Sequence, residues 1–123
     1  MNTPVNFEIA KLLKEKGFDN PCENRYNKLG ELTATKLGMN MQPNNYSDSY
    51  SAPTIAEVIM WLYEKHGIWI EAHRWTNQPV DDEVWENCFQ AFVNGDAMSV
   101  SIFKTPTEAY EAGIEYIKEN NLI

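Results

Sequence analysis

Glu71 and His73 stand two residues apart in a stretch where apolar residues alternate with others, so both side chains leave a strand on one side. A carboxylate beside an imidazole is an acid–base pair, and with a third ligand it holds a divalent metal. That third ligand would come from the acids at 81–86. A zinc centre needs three or four strong donors, and the chain has two histidines. The pair is therefore read as polar residues of a sheet face, with no metal and no cofactor expected. His66 lies on an apolar helical stripe near a helix C-terminus, where an imidazole complements the helix dipole. Asp81, Asp82, Glu83 and Glu86 lack the alternating oxygens and the glycine of a calcium loop and read as solvated. Cys22 and Cys88 are 66 positions apart, and neither belongs to a Cys-x-x-Cys pair. Cys88 falls within a strand, as a small buried hydrophobe would. Phosphate-binding glycine loops, the Gly-x-Ser-x-Gly elbow and His-Glu-x-x-His are all missing. No catalytic residue is assigned, and the chain is expected to be non-enzymatic.

The aromatic residues are harder to place in a core. Trp69, His73 and Trp75 share the strand face opposite Ile68, Ile70 and Ala72. If helices cover the aliphatic side, the tryptophans need another cover: either the 38–53 loop or a second molecule. Tryptophan and tyrosine are favoured at the centres of interfaces. The expected contact surface is Trp69, His73 and Trp75, with Tyr46 and Tyr50 at its margin. A homodimer is its simplest assembly.

Three helices must carry this strand region. The first is expected over 4–16, capped by Thr3 with Pro4 at its first position or, a turn later, by Asn6. Its stripe is Val5, Ile9, Leu12 and Leu13, and Gly17 stops it so that Phe18 folds back. The second begins at the capping box Thr54-Ile-Ala-Glu57. It carries Ile55, Val58, Ile59, Leu62 and His66 on one stripe, with Met60 and Trp61 off it, and Gly67 ends it so that Ile68 can return onto Tyr63. The third runs over 106–120 behind Thr105-Pro-Thr-Glu108, with Gly113 in mid-helix marking a close approach to a neighbour.

Between the last two helices the period falls to two. Strands are predicted from Ile68, over Trp85 to Val93 and over Ala97 to Phe103, with a tight turn at Asn94-Gly95-Asp96. Short connections make them an antiparallel meander. Cys22–Asn27 and Glu31–Thr35 fit a small hairpin across Lys28-Leu29-Gly30, and residues 38–53 have loop composition. The fold class is α+β: a three-stranded antiparallel meander with two capped amphipathic helices, plus an N-terminal helix and a small hairpin. At 123 residues a single domain over 1–123 is expected.

Eighteen acids against ten bases give a net charge of −8. Residues 1–61 hold seven acids and six bases, whereas residues 62–123 hold eleven acids and four bases, a net of −7. Such a field repels phosphate backbones and anionic lipid surfaces, so neither nucleic acid nor membrane is an expected partner. The opening Met1-Asn2-Thr3-Pro4 lacks the basic and then apolar pattern of a signal peptide, and no apolar run reaches the length of a membrane span.

Val5-Asn-Phe-Glu-Ile-Ala-Lys-Leu-Leu-Lys-Glu-Lys-Gly-Phe-Asp19, Ala52-Pro-Thr-Ile-Ala-Glu-Val-Ile-Met-Trp-Leu-Tyr-Glu-Lys-His-Gly-Ile68 and Lys104-Thr-Pro-Thr-Glu-Ala-Tyr-Glu-Ala-Gly-Ile-Glu-Tyr-Ile117 together resemble a family of short proteins carried by phages and mobile elements of gut Bacteroides-type bacteria. The family has no established activity, so no functional residue carries over. The resemblance implies an accessory protein acting in the cytoplasm of the bacterial host. Contact with a protein partner is the expected mode of action. The alternative is an acidic decoy of a nucleic-acid-binding protein, and the third reading is a small hydrolase-like enzyme.

Overall fold

In the computed structural model, residues 3–34, 42–74, 89–97 and 102–123 are described. They group into two compact units, one within residues 1–61 and one within 62–122. The fold is α+β.

Helix α1 (Phe7–Glu15) begins one turn later than Pro4 because Asn6 is its cap: Asn6 Oδ1 accepts from the Ile9 N–H at 2.9 Å. Thr3 and Pro4 are not its cap. They run beside the start of the next helix, where Pro4 and Thr54 form an antiparallel bridge, the Val5 N–H donates to Pro53 O at 2.9 Å and the Ile55 N–H donates to Thr3 O at 3.0 Å. Gly17, at φ +88°, turns the chain out of α1 in a conformation a Cβ would strain. The Phe18 N–H then returns to Leu13 O at 2.9 Å and closes the helix end.

Strands β1 (Asn24–Asn27) and β2 (Leu32–Ala34) form the expected hairpin. Asn27 makes its turn, accepting the Leu29 and Glu31 N–H groups on Oδ1. A third strand, β3 (Ser49–Ser51), pairs antiparallel with β1, so the sheet order is β2-β1-β3. The loop composition of 38–53 gave no sign of β3, whose only apolar anchor is Tyr50. Its free edge is met by Asn44, in a 3-10 turn at Pro43–Asn45. Asn44 Oδ1 accepts from Ser51 N at 2.7 Å, its N–H donates to Ser51 Oγ at 3.2 Å, and its Nδ2 donates to Phe18 O at 2.9 Å. One side chain thereby stands where a neighbouring strand would.

Helix α2 (Ile55–His66) carries the predicted capping box in both directions. The Glu57 N–H donates to Thr54 Oγ1 at 3.2 Å, and the Thr54 N–H donates to Glu57 Oε1 at 3.2 Å. Ile55, Val58, Ile59 and Leu62 are buried, and so is Trp61, which meets the edge of Phe18 at 5.4 Å. His66 is exposed, not part of a buried stripe.

In the second unit, strands β4 (Ile70–Arg74), β5 (Phe89–Val93) and β6 (Asp96–Ala97) form the antiparallel meander, in the order β4-β5-β6. The Asn94–Gly95 turn has φ positive at both residues, as a two-residue hairpin requires. Phe89 and Phe103 exchange backbone hydrogen bonds at 2.8 Å. The predicted strand segments at 85–88 and 98–101 lie outside the described residues. Helix α3 (Pro106–Glu119) starts at Thr105, whose Oγ1 accepts from Glu108 N at 3.1 Å. It lies against β4 and β5. Ile70, Ala91, Val93, Ala109, Gly113, Ile114 and Ile117 are buried there. A Cβ on Gly113 would stand 2.7 Å from Ile70 Cγ2, which identifies the close approach.

Candidate functional site

Pairing register sorts the second sheet into two faces. Ile70 opposes Val93 and Ala72 opposes Ala91 on the α3 side. Glu71 opposes Phe92 and His73 opposes Gln90 on the other. Trp69 precedes the strand by one residue and joins that second face.

The way the chain leaves α2 sets the position of Trp69. The Gly67 N–H donates to Tyr63 O at 3.1 Å and the Ile68 N–H to Leu62 O at 3.2 Å. Ile68 is buried by this step, and alternation turns Trp69 the other way. Trp69 returns onto Tyr63: the two rings meet edge to face, 5.3 Å apart at 75°. Asn94 fixes the backbone, taking the Trp69 N–H on Oδ1 at 2.8 Å and giving its own N–H to Trp69 O at 2.8 Å. The hairpin turn therefore does a second job as the anchor of the tryptophan.

Glu71 is the hub of the face. Trp69 Nε1 donates to its Oε1 at 3.1 Å, and His73 Nε2 lies 2.7 Å from its Oε2. These bonds, His73 first and Trp69 second, hold the Glu71 carboxyl below the usual glutamate range. An ionised carboxylate only accepts, so His73 Nε2 carries the shared hydrogen. The His73 ring leans on Phe92, with centroids 4.6 Å apart. Trp69 keeps 39% of its surface in solvent and Tyr63 54%, and the Glu71 and His73 side chains keep 45% and 57%. A carboxylate held below its ordinary range is a weak general base. An exposed row of rings with a charged centre is suited to recognition.

Of the residues singled out in the sequence, Trp69 and His73 are brought together through Glu71. Trp75 lies outside the described residues, as do Cys88 and the acids at 81–86. Tyr46 and Tyr50 belong to the first unit. Tyr50 meets the edge of Phe7 at 5.4 Å, and the Lys14 ammonium sits 4.8 Å from its ring centroid. Lys14 Nζ also donates to the carbonyls of Tyr46 and Ser49 at 2.7 and 2.8 Å, tying α1 to the β3 segment, while the Tyr46 ring is exposed. Sequence reasoning missed Tyr63 and Phe92, and it weighed Glu71 as an acid–base partner of His73 or a metal ligand but not as the centre of an aromatic face. The signal for Tyr63 was its place six residues before Trp69, across the helix-ending glycine.

Cys22, in the first unit, is buried, and desolvation with the Glu57 charge pushes its thiol up to about 12 against a hydrogen bond with Ser51. Such a thiol is a poor nucleophile. Among the described residues no three of His, Cys, Asp and Glu are grouped to hold a metal ion, and no helix is long and apolar enough to cross a membrane. No family model, no curated protein and no solved structure matches the chain.

Proposed function

We propose that the chain is a non-enzymatic accessory protein, of the phage or mobile-element kind, that acts in the host cytoplasm by protein–protein contact through the Trp69 face of the second sheet. The observation that carries this reading is the exposure of Tyr63 and Trp69 on the sheet face away from α3, with Trp69 held rigid at both backbone atoms by Asn94. A pre-ordered aromatic side chain loses little entropy on binding, which is why such residues anchor interfaces. The missing nucleotide and hydrolase motifs and the low-pKa carboxylate both favour contact over catalysis.

The test compares wild type with Trp69→Ala in two measurements: sedimentation of the purified protein, and stoichiometric retention of a host protein on the immobilised chain. The expected outcome is loss of host-protein retention in Trp69→Ala, with unchanged sedimentation and a thermal midpoint close to wild type. Equal retention by the two proteins would sink the reading. Unfolding of Trp69→Ala would make Trp69 a core residue and have the same consequence.

A further inference from the structure

The chemistry around Glu71 says what a partner must present, and the following rests on the contact reading above. We propose that Glu71 and the rings around it receive an arginine side chain from a basic partner protein.

Three observations converge on this. Each Glu71 oxygen already accepts one hydrogen bond from the side, Oε1 from Trp69 and Oε2 from His73. Each keeps a further acceptor position, and the group is nearly half exposed. The lateral bonds fix the carboxylate plane, so the remaining positions form a preset pair. A guanidinium offers two parallel N–H groups that match such a pair, whereas an ammonium offers a single point of charge.

The second observation is the set of rings. Trp69 lies on one side of Glu71, His73 on the other, and Phe92 opposite it across the strands. Tyr63 extends the row beyond Trp69. Flat aromatic surface beside a carboxylate favours a flat cation, through stacking and cation–π attraction.

The third is charge. The charge acts at long range: the whole chain carries a net −8, of which residues 81–123 hold −7. That field draws a basic surface and opposes a second copy of the same acidic chain.

The experiment uses the full-length protein and N-acetyl-arginine methylamide as probe, with the citrulline counterpart as a neutral control of the same shape. Binding is read from the indole N–H resonance of Trp69, assigned by its loss in Trp69→Phe. The expected result is a saturable shift with the arginine probe, with a Kd of about millimolar size for one side chain, and no saturable shift with the citrulline probe. Glu71→Gln should weaken binding by about tenfold or more, while Glu119→Gln, which removes a charge from the exposed end of α3, leaves it unchanged.

Equal binding of the citrulline probe, or equal weakening in Glu119→Gln and Glu71→Gln, would overturn the assignment. So would the absence of a saturable shift. A wild-type dimer broken by Trp69→Ala would make the occupant a second copy and overturn the basic partner. If the arginine probe fails to bind but Trp69→Ala still abolishes retention of a host protein, the contact surface stands and only the arginine assignment falls.

Discussion

Gly113 shows how much one missing methyl group decides. An alanine there gains helix propensity worth about 1 kcal/mol. Its Cβ, however, would meet Ile70 Cγ2 at 2.7 Å, and a β-branched side chain on a buried strand has no other rotamer to move into cheaply. Gly113→Ala should therefore lower stability by about 1–3 kcal/mol. In combination with Ile70→Ala, which opens the space but costs core burial of its own, the total loss should be smaller than the sum of the two separate losses, and the denaturation midpoints of the cycle would measure the coupling. At Glu71 the sign of the pH effect is fixed by the folded state binding its proton less readily than the unfolded chain. The pair's contribution is then full above the unfolded glutamate value of about 4.3 and is lost as pH falls through the lower folded value. Thermal melts from pH 7 to pH 3 should show a smaller acid-side loss in Glu71→Gln than in wild type. An identical loss in both would mean that the bonds from His73 and Trp69 do not form in solution.

Elements with strong local chemistry were legible from the residues alone. Thr54 and Glu57 act over three residues, so their spacing sufficed to place the start of α2, and Thr54→Ala should cost about 1 kcal/mol by denaturation. An unchanged midpoint would mean that the box in both directions contributes nothing to stability. Asn94-Gly95 was equally readable, because few other residues tolerate two successive positive φ values. The start of α1 was ambiguous between Thr3 and Asn6. What decided it was the pairing of residues 3–5 with 53–55, a contact about fifty positions long that no local rule contains. β3 was invisible for the same reason: Ser49-Tyr50-Ser51 has no strand pattern of its own and is held by Asn44, β1 and Lys14. In the candidate site, alternation put Trp69 and His73 on one face, which is a two-residue rule. The role of Tyr63 depended on the exact path through Gly67, and that of Phe92 on the register between β4 and β5.

On the scale of the whole chain, the boundary between the compact units falls between Trp61 and Leu62, whereas the net acidity lies further on, in residues 81–123, with nine acids against two bases. That boundary does not fall in a linker. It cuts the twelve residues of α2 into seven, Ile55–Trp61, and five, Leu62–His66. Isolated helices shorter than about 12–15 residues are marginal in water, so neither piece holds its shape without the other. Separately expressed chains 1–61 and 62–123 should each lack the circular-dichroism signal of α2 and should not restore it when mixed at micromolar concentration. Restoration would show that each half folds alone. The consequence concerns how such a gene can change. A crossover at the boundary between the units would pair half a helix with a stranger's half, so the near-neutral first unit and the aromatic face of the second are inherited together or lost together.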